Sequence, residues 1–326
     1  YTTGVANPYL LLEPSRTNFT DSSEYAGLWA GINANITTTN NATTSPEGVD
    51  NAVKLEGLTT SSSNQIVNFG STILNGVSVI GKTYTASVYL KPVNPSDVGD
   101  DITLSIQRNS GDYEGLNLIF EIDSADWKRY DLTYAFTGAG AGDQVGVLFK
   151  ILRSDTTIDD IYVYGVQLEE GSYPTSYIPT YSVSATRAAD TSSKADASAD
   201  INSTEGVLYA EIAALDEDSL GRYITISDGV VNNNAIRLLY HNSNTLFFQK
   251  YVNGVRTTNL ATTSITKTDF NKIAIRYNST EISVFVNGVN ILNNADTNVM
   301  LPNTLNALGF AAGEGYNKFF GNTKGL

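Results

Sequence analysis

From Trp29 onward the chain is cut into short runs in which apolar and polar residues alternate, each run bounded by Gly, Asn, Asp or Ser. A period of two marks a strand with one buried and one wet face, because successive side chains leave a pleated backbone on opposite sides. In 81–92, Tyr84, Ala86, Val88 and Leu90 share one face, and Thr83, Thr85, Ser87 and Tyr89 the other. In 51–57, Val53 and Leu55 share a face; further runs occupy 101–108, 116–123, 127–137, 144–152 and 157–171. A second set covers 205–215, 221–229, 234–241, 245–260, 270–278 and 281–293. Two of these runs turn on Asn253-Gly254 and Asn287-Gly288. Asn-Gly tolerates the positive φ that a type I′ hairpin demands at both central positions. Runs of helix-favouring Ala, Glu, Lys and Leu are nearly absent, so the expected fold class is all-β, with two β-sandwich (jelly-roll) domains in tandem joined by a short extended linker.

A length of 326 residues accommodates two hydrophobic cores. Residues 1–19 read as an extended N-terminal arm, since Pro14 forbids a continuing ladder. Residues 20–181 read as the first sandwich and 182–200 as the linker. Around that linker Pro174 and Pro179 set an extended path, and Ser, Ala and Asp supply nothing to bury. Residues 201–326 form the second sandwich, which stops where one more strand is expected, so the polypeptide is expected to continue. Composition removes several chemistries. Cysteine is absent, which excludes disulfides, thiolate zinc and a cysteine nucleophile. A single histidine, His241, cannot build a multi-histidine site. Twenty Lys and Arg against 34 Asp and Glu give a net charge of −14, which argues against nucleic acid and anionic membranes as partners. No apolar run approaches membrane-spanning length, and no signal peptide is visible at the start.

The phrases LLLEPSRTNF (10–19), SPEGVDNAVKL (45–55), GKTYTASVYLKP, WKRYDLTYAF and GVQLEEGSYPTSYIPT (165–180), followed by SATRAAD (184–190), resemble the bacteriophage tail-fibre and virion-appendage family. In that family a jelly roll similar to carbohydrate-binding modules precedes a concanavalin A-like, laminin-G-like sandwich. The resemblance implies a non-enzymatic virion protein that adheres to a host-surface glycan. Its partners would be that glycan and other virion proteins, in a homo-oligomer, without nucleic acid and without membrane insertion. Jelly rolls of this kind often hold a structural calcium, for which Glu24, Asp159 and Asp160 are the candidates; no other cofactor is expected. Coiled-coil, collagen and β-helix repeats are absent, so a trimerising shaft is not in this stretch. Two alternatives stand beside this: an ancillary binding region of a secreted polysaccharide-degrading enzyme, and a purely structural virion protein that binds no sugar.

Sugar recognition needs flat apolar faces for ring C–H groups and amides or carboxylates for hydroxyls. Tyrosine is abundant, 19 against 12 Phe and 2 Trp. Tyr113, with Asn109, Asp112 and Glu114 beside it, is the preferred contact in the first domain. In the second domain the counterparts are Tyr240 with His241 and Asn242 at a hairpin tip, and Tyr316 in GEGYNK. Trp29 and Trp127 are expected in the core, Trp127 together with Tyr130 and Leu132. FEIDSADW imitates the paired carboxylates of a glycosidase, but Asp126 stands where a second Glu belongs. Glu121 and Asp123 are therefore read as a solvated strand edge, with no catalytic residue expected. Five N-x-S/T triplets, at Asn18, Asn35, Asn41, Asn202 and Asn278, are expected by chance in a chain rich in Asn and Thr.

Overall fold

The alternating runs become antiparallel ladders. The computed structural model describes residues 9–61, 63–70, 78–108, 114–138, 146–215, 221–241, 244–263, 265–312 and 317–326. Among them are strands and three short 3-10 turns, with no α-helix, so the fold is all-β. The chain divides into two compact units: one is Ser15–Ala188, and the other joins the segment ending at Pro14 to Ala189–Leu326. The N-terminal arm is thus divided. Strand β1 (Leu10–Leu12) belongs to the second unit, and Ser15 onward to the first.

The first unit contains β2 (Arg16–Asn18), β3 (Gly31–Ile32), β4 (Thr37–Thr44), β5 (Asp50–Glu56), β6 (Gln65–Asn68) and β7 (Thr83–Pro92). It continues with β8 (Asp101–Arg108), β9 (Gly115–Glu121), β10 (Lys128–Ala135), β11 (Val147–Leu152), β12 (Ile161–Glu170) and β13 (Ala185–Arg187). Two five-stranded sheets, ordered β10-β7-β12-β5-β4 and β3-β6-β11-β8-β9, face each other. The alternation places Val53, Leu55, Tyr84, Ala86, Val88 and Leu90 of one sheet and Ile102, Leu104, Ile106, Phe149 and Ile151 of the other in a single core. Trp29 joins it, edge-on to Phe69 at 4.9 Å, with its indole N–H donating to the Ser22 carbonyl. Strands β2 and β13 pair at the two ends of the unit. Beside them the buried Asn18 amide donates to the Val166 and Ile178 carbonyls at 3.1 and 2.8 Å, while its Oδ1 accepts from the Leu168 N–H at 3.1 Å.

In the second unit β1 is joined by β14 (Ser193–Lys194), β15 (Gly206–Ala214), β16 (Arg222–Ser227), β17 (Ala235–Tyr240), β18 (Leu246–Val252) and β19 (Val255–Thr262). The remaining strands are β20 (Asn271–Tyr277), β21 (Glu281–Val286), β22 (Val289–Ala295), β23 (Ala307–Gly309) and β24 (Gly321–Gly325). Two six-stranded sheets result, β1-β24-β15-β20-β21-β22 and β14-β23-β16-β17-β18-β19. The final stretch, read as leading towards a strand, is itself β24, and it lies between β1 and β15. The 182–200 stretch contributes β13 to one unit and β14 to the other. Both Asn-Gly turns have the expected backbone, with φ of 49° and 81° at Asn253 and Gly254 and of 50° and 84° at Asn287 and Gly288. Ile212, Ile224, Ile236, Leu238, Phe248, Ile273, Ile275, Val284 and Leu305 fill the core.

One ion pair is sealed into this second unit. Lys250 Nζ lies 3.2 Å from Asp296 Oδ2, with both side chains almost completely buried. Burial works against the Asp296 charge. It is outweighed by hydrogen bonds from Thr258 and from the backbone and amide of Asn298, and by the Lys250 ammonium, so the carboxyl is held at about 2 against an ordinary 3.8. Removing one member of such a pair strands the other charge, so Lys250→Ala should destabilise this unit by about 3 to 5 kcal/mol in urea unfolding at neutral pH. The depressed carboxyl stabilises the fold above its unfolded pKa, and that stability is lost as pH falls through about 2. Asp296→Asn should therefore lower stability at pH 7 and flatten its decline between pH 4 and 2, measured by the same method.

Candidate functional site

Pleat parity sorts the side chains of the β16–β19 sheet. Ile224, Ile226, Ile236, Leu238, Tyr240, Leu246 and Phe248 point into the core. By the same alternation Tyr223, Thr225, Ser227, Arg237, Leu239, Phe247, Gln249 and Tyr251 stand on the outer face. There a groove of about 340 Å³ is lined by Gly221, Tyr223, Leu239, His241, Phe247, Gln249, Arg256, Asn259 and Asn317. Register explains the grouping: Tyr223 pairs with Leu239, Leu239 with Phe247, and Gln249 with Asn259. Tyr223, His241 and Phe247 are half-buried, and Arg256, Asn259 and Asn317 are exposed. The His241 and Phe247 rings meet edge to face at 5.7 Å, and the Gln249 amide donates to Asn259 Oδ1 at 3.1 Å. A Cβ at Gly221 would come within 2.5 Å of Leu239 Cδ1, so a larger residue there would displace the end of that side chain. No carboxylate is among the described lining residues.

Beside the groove lies a buried cation. Arg237 is 2 % exposed, and its guanidinium carbon stands 5.7 Å from the Tyr223 ring centre and 4.7 Å from that of Tyr251. It donates to Asn232 Oδ1 at 2.6 Å and to the Ala312 carbonyl at 2.8 Å. Burial pulls its pKa down and also pushes that of Tyr223 up, so each is held in a desolvated setting. The stack fixes the orientation of a ring that faces the groove.

Two of the sequence candidates meet different fates here. Tyr240, expected as a loop aromatic, is the last residue of β17 and lies in the core at 2 % exposure, 6.0 Å from the Phe319 ring. Its even position in the strand puts it inside, and parity gives the outer face to His241 instead. Tyr223 and Phe247 were missed, although both fall within runs recognised as strands, opposite the side that Ile224, Ile226, Leu246 and Phe248 bury. Asn109, Asp112, Tyr113, Asn242 and Tyr316 lie outside the described residues. Glu114 turns its carboxylate to the Thr137 and Gly138 amides at 2.6 and 2.8 Å, with Arg108 at 3.6 Å.

The first unit has its own outer-face aromatic cluster. Trp127 is not in the core with Tyr130 and Leu132, because its odd number places it across the pleat from them. It packs beside Tyr162 and Tyr164, and its indole N–H donates to the Thr44 carbonyl at 2.9 Å. Tyr164 in turn meets Tyr177 at 5.2 Å and Tyr89 at 6.1 Å. A bulge at Gly165, φ 63°, lets the strand pass, since a Cβ there would meet the Tyr89 and Tyr177 rings at 3.1 to 3.4 Å. Tyr177 comes from the segment that follows β12. That segment is tied down by Gln167 Oε1, which accepts from the Ile178 N–H, and by Glu169, which accepts from the Thr175 N–H. The cluster is therefore largely covered by its own chain.

The candidate calcium ligands are committed elsewhere. Glu24 accepts from the Tyr177 hydroxyl at 2.5 Å and from the Asn51 amide at 3.0 Å. Asp159 accepts from the Thr59 N–H and hydroxyl, and Asp160 from the Gly57 N–H, so both carboxylates cap one turn. Among the described residues no group of three or more His, Asp or Glu is placed to hold a metal ion. In FEIDSADW, Glu121 is exposed at the end of β9. Asp123 pairs with Lys128 and accepts from the Tyr130 hydroxyl, and the Lys128 hydrogen bond holds its carboxyl below the ordinary range.

No protein-family model matches the chain, and no curated protein matches it. Solved structures do. The CBM40 module of the Ruminococcus gnavus IT-sialidase, bound to α2,3-sialyllactose, is 13 % identical, covers 37 % of this chain and 73 % of its own, and has a TM-score of 0.31. A galectin of Caenorhabditis elegans is 9 % identical over 41 % of this chain and 89 % of its own, with a TM-score of 0.30. A prokaryotic β-1,3-1,4-glucanase derived from a mouse hindgut metagenome is 12 % identical over 47 % of this chain and 73 % of its own, also at 0.30. At such scores these likenesses add nothing to the architecture already given by the strand pairings.

Proposed function

We propose that the outer face of β16–β19 binds a glycan and that the chain is a non-enzymatic adhesion protein of a phage virion appendage. The observation that carries the glycan reading is the groove itself, whose lining brings aromatic rings together with primary amides. Tyr223 and Phe247 offer surfaces for the C–H faces of a pyranose, while Gln249, Asn259 and Asn317 each donate and accept, as sugar hydroxyls require. Arg256 adds a donor at the rim. A glycosidase needs a proton donor and a second carboxylate across the scissile bond, and among the described residues the groove lining supplies neither. The virion setting rests on the resemblance of GVQLEEGSYPTSYIPT and SATRAAD to appendage proteins. In that setting a homo-oligomer presents several copies of a shallow, weak site at once, and avidity raises the effective affinity.

Purified protein multimerised on beads should retain a subset of an array of bacterial surface saccharides. In calorimetry with a retained saccharide, Phe247→Ala and Asn259→Ala should each weaken binding about tenfold or more, roughly 1.4 kcal/mol, with unfolding transitions unchanged. A blank array defeats the glycan reading. Release of shorter saccharides at a rate abolished by Asp123→Asn defeats the non-enzymatic one. Arg237→Lys keeps the charge but loses the planar stack and the double donation. It should lower stability by about 1 to 2 kcal/mol and alter the near-UV tyrosine dichroism.

A further inference from the structure

A second hollow lies beside the groove, on the same unit. It measures about 240 Å³, and its walls include Ser193, Thr225, Ser227, Gly309, Phe310 and Lys318. Tyr223 faces the groove, while Thr225 and Ser227, the next two outward residues of β16, face this cavity. Alternate residues of a strand advance about 6.6 Å, so the two hollows lie in line along β16 over roughly 13 Å from Tyr223 to Ser227. The dipeptide Asn317-Lys318 spans them: Asn317 lines the groove, Lys318 lines the cavity, and Lys318 bridges to Tyr223. A ligand longer than one ring that lies on Tyr223 would reach both.

The chemistry of the cavity differs from that of the groove. Thr225 is 1 % exposed, and its hydroxyl has no hydrogen-bond partner among the described residues, although buried hydroxyls are normally satisfied. Among the described residues no carboxylate lines the cavity. Of its two lysines, Lys194 is paired with Asp200, whereas Lys318 has no ion-pair partner among the described residues. Among the described residues, an ammonium without an ion-pair partner and a hydroxyl without a hydrogen-bond partner on one cavity are a local exception in a chain of net charge −14. A neutral sugar would satisfy the hydroxyl and leave the ammonium uncompensated; an anionic substituent satisfies both.

We propose that this cavity seats an acidic sugar ring, its anionic substituent meeting the Lys318 ammonium and the Thr225 hydroxyl, while the adjoining ring lies on Tyr223 in the groove. This rests on the reading of the groove as a glycan site. The test uses the full chain and array saccharides in matched pairs. These differ only by a uronic acid in place of a hexose, by a sialic acid cap, or by a sulfate. The acidic member of a pair should bind about tenfold tighter, with an advantage that shrinks as salt is raised and identifies which anion is preferred. Lys318→Gln should remove that advantage by weakening the acidic member far more than the neutral one, Lys318→Arg should retain it, and Thr225→Val should reduce it. Phe247→Ala should weaken both members alike. Equal binding of acidic and neutral members to the unaltered chain overturns this proposal and leaves the groove reading intact, as does a Lys318→Gln variant that weakens both equally. Failure to bind any saccharide overturns both.

Discussion

A guanidinium desolvated between two phenol rings organises the open face of the second unit. Burying a cation is unfavourable unless its charge finds groups to polarise, and Arg237 finds the Tyr223 and Tyr251 rings, the Asn232 side chain and the Ala312 carbonyl, while its Nε has no hydrogen-bond partner among the described residues. Those partners lie on four different stretches of chain. The Asn232 turn is itself held by Asp228, which accepts from Asn233 and Asn234, and Asn234 Oδ1 accepts from the Asn253 N–H at the hairpin tip. Loops that would otherwise be independent thereby share one anchor, and the groove inherits a fixed wall without metal or disulfide. Arginine is specified at this position because an ammonium could neither stack between two rings nor reach two acceptors set apart.

The same economy of polar side chains recurs wherever a chain without cysteine must hold a turn. Three of the N-x-T triplets are local hydrogen-bond devices: Asn18, Asn202 and Asn278 each accept from the backbone N–H and the hydroxyl of the threonine two residues on. Asn18 is fully buried, so it has a structural task and no surface to offer a modifying enzyme. The abundance of Asn and Thr, read from sequence as a source of chance motifs, is in part the vocabulary with which these loops are closed.

Strands with clean alternation were legible because burial on one face imposes a period of two that local sequence records directly. Strand β4, with sequence TTTNNATT, was invisible for the complementary reason: an edge strand that is polar on both faces carries no alternation. The division at Pro14 could not be read either, because Leu10–Leu12 shows three apolar residues in a row and its partner, Gly321–Gly325, lies at the far end of the chain. At the site the error was one of parity. Tyr240 was chosen as a residue near a turn, yet a residue one place away in a strand changes face, and His241 is the neighbour that lines the groove. Trp127 was misassigned by the same single step. Tyr223 and Phe247 were available to any reading that asked which aromatics interrupt the polar side of a strand, since an aromatic on a wet face needs a reason that one on a dry face does not.

The two units put aromatic side chains on outer faces with opposite consequences. In the first, a bulge at Gly165 makes room for Tyr177, and the segment that carries it is fastened by Gln167 and Glu169, so ring surface that could meet a ligand meets the chain's own tyrosine. In the second, Arg237 and its partners support the rim of the face without covering its middle, and amides surround the rings that remain open. Identical chemistry is spent on cohesion in one case and left available in the other. What separates an open aromatic face from a packed one in this chain is therefore the path of the segment that follows the strands, and the side chains alone do not reveal it.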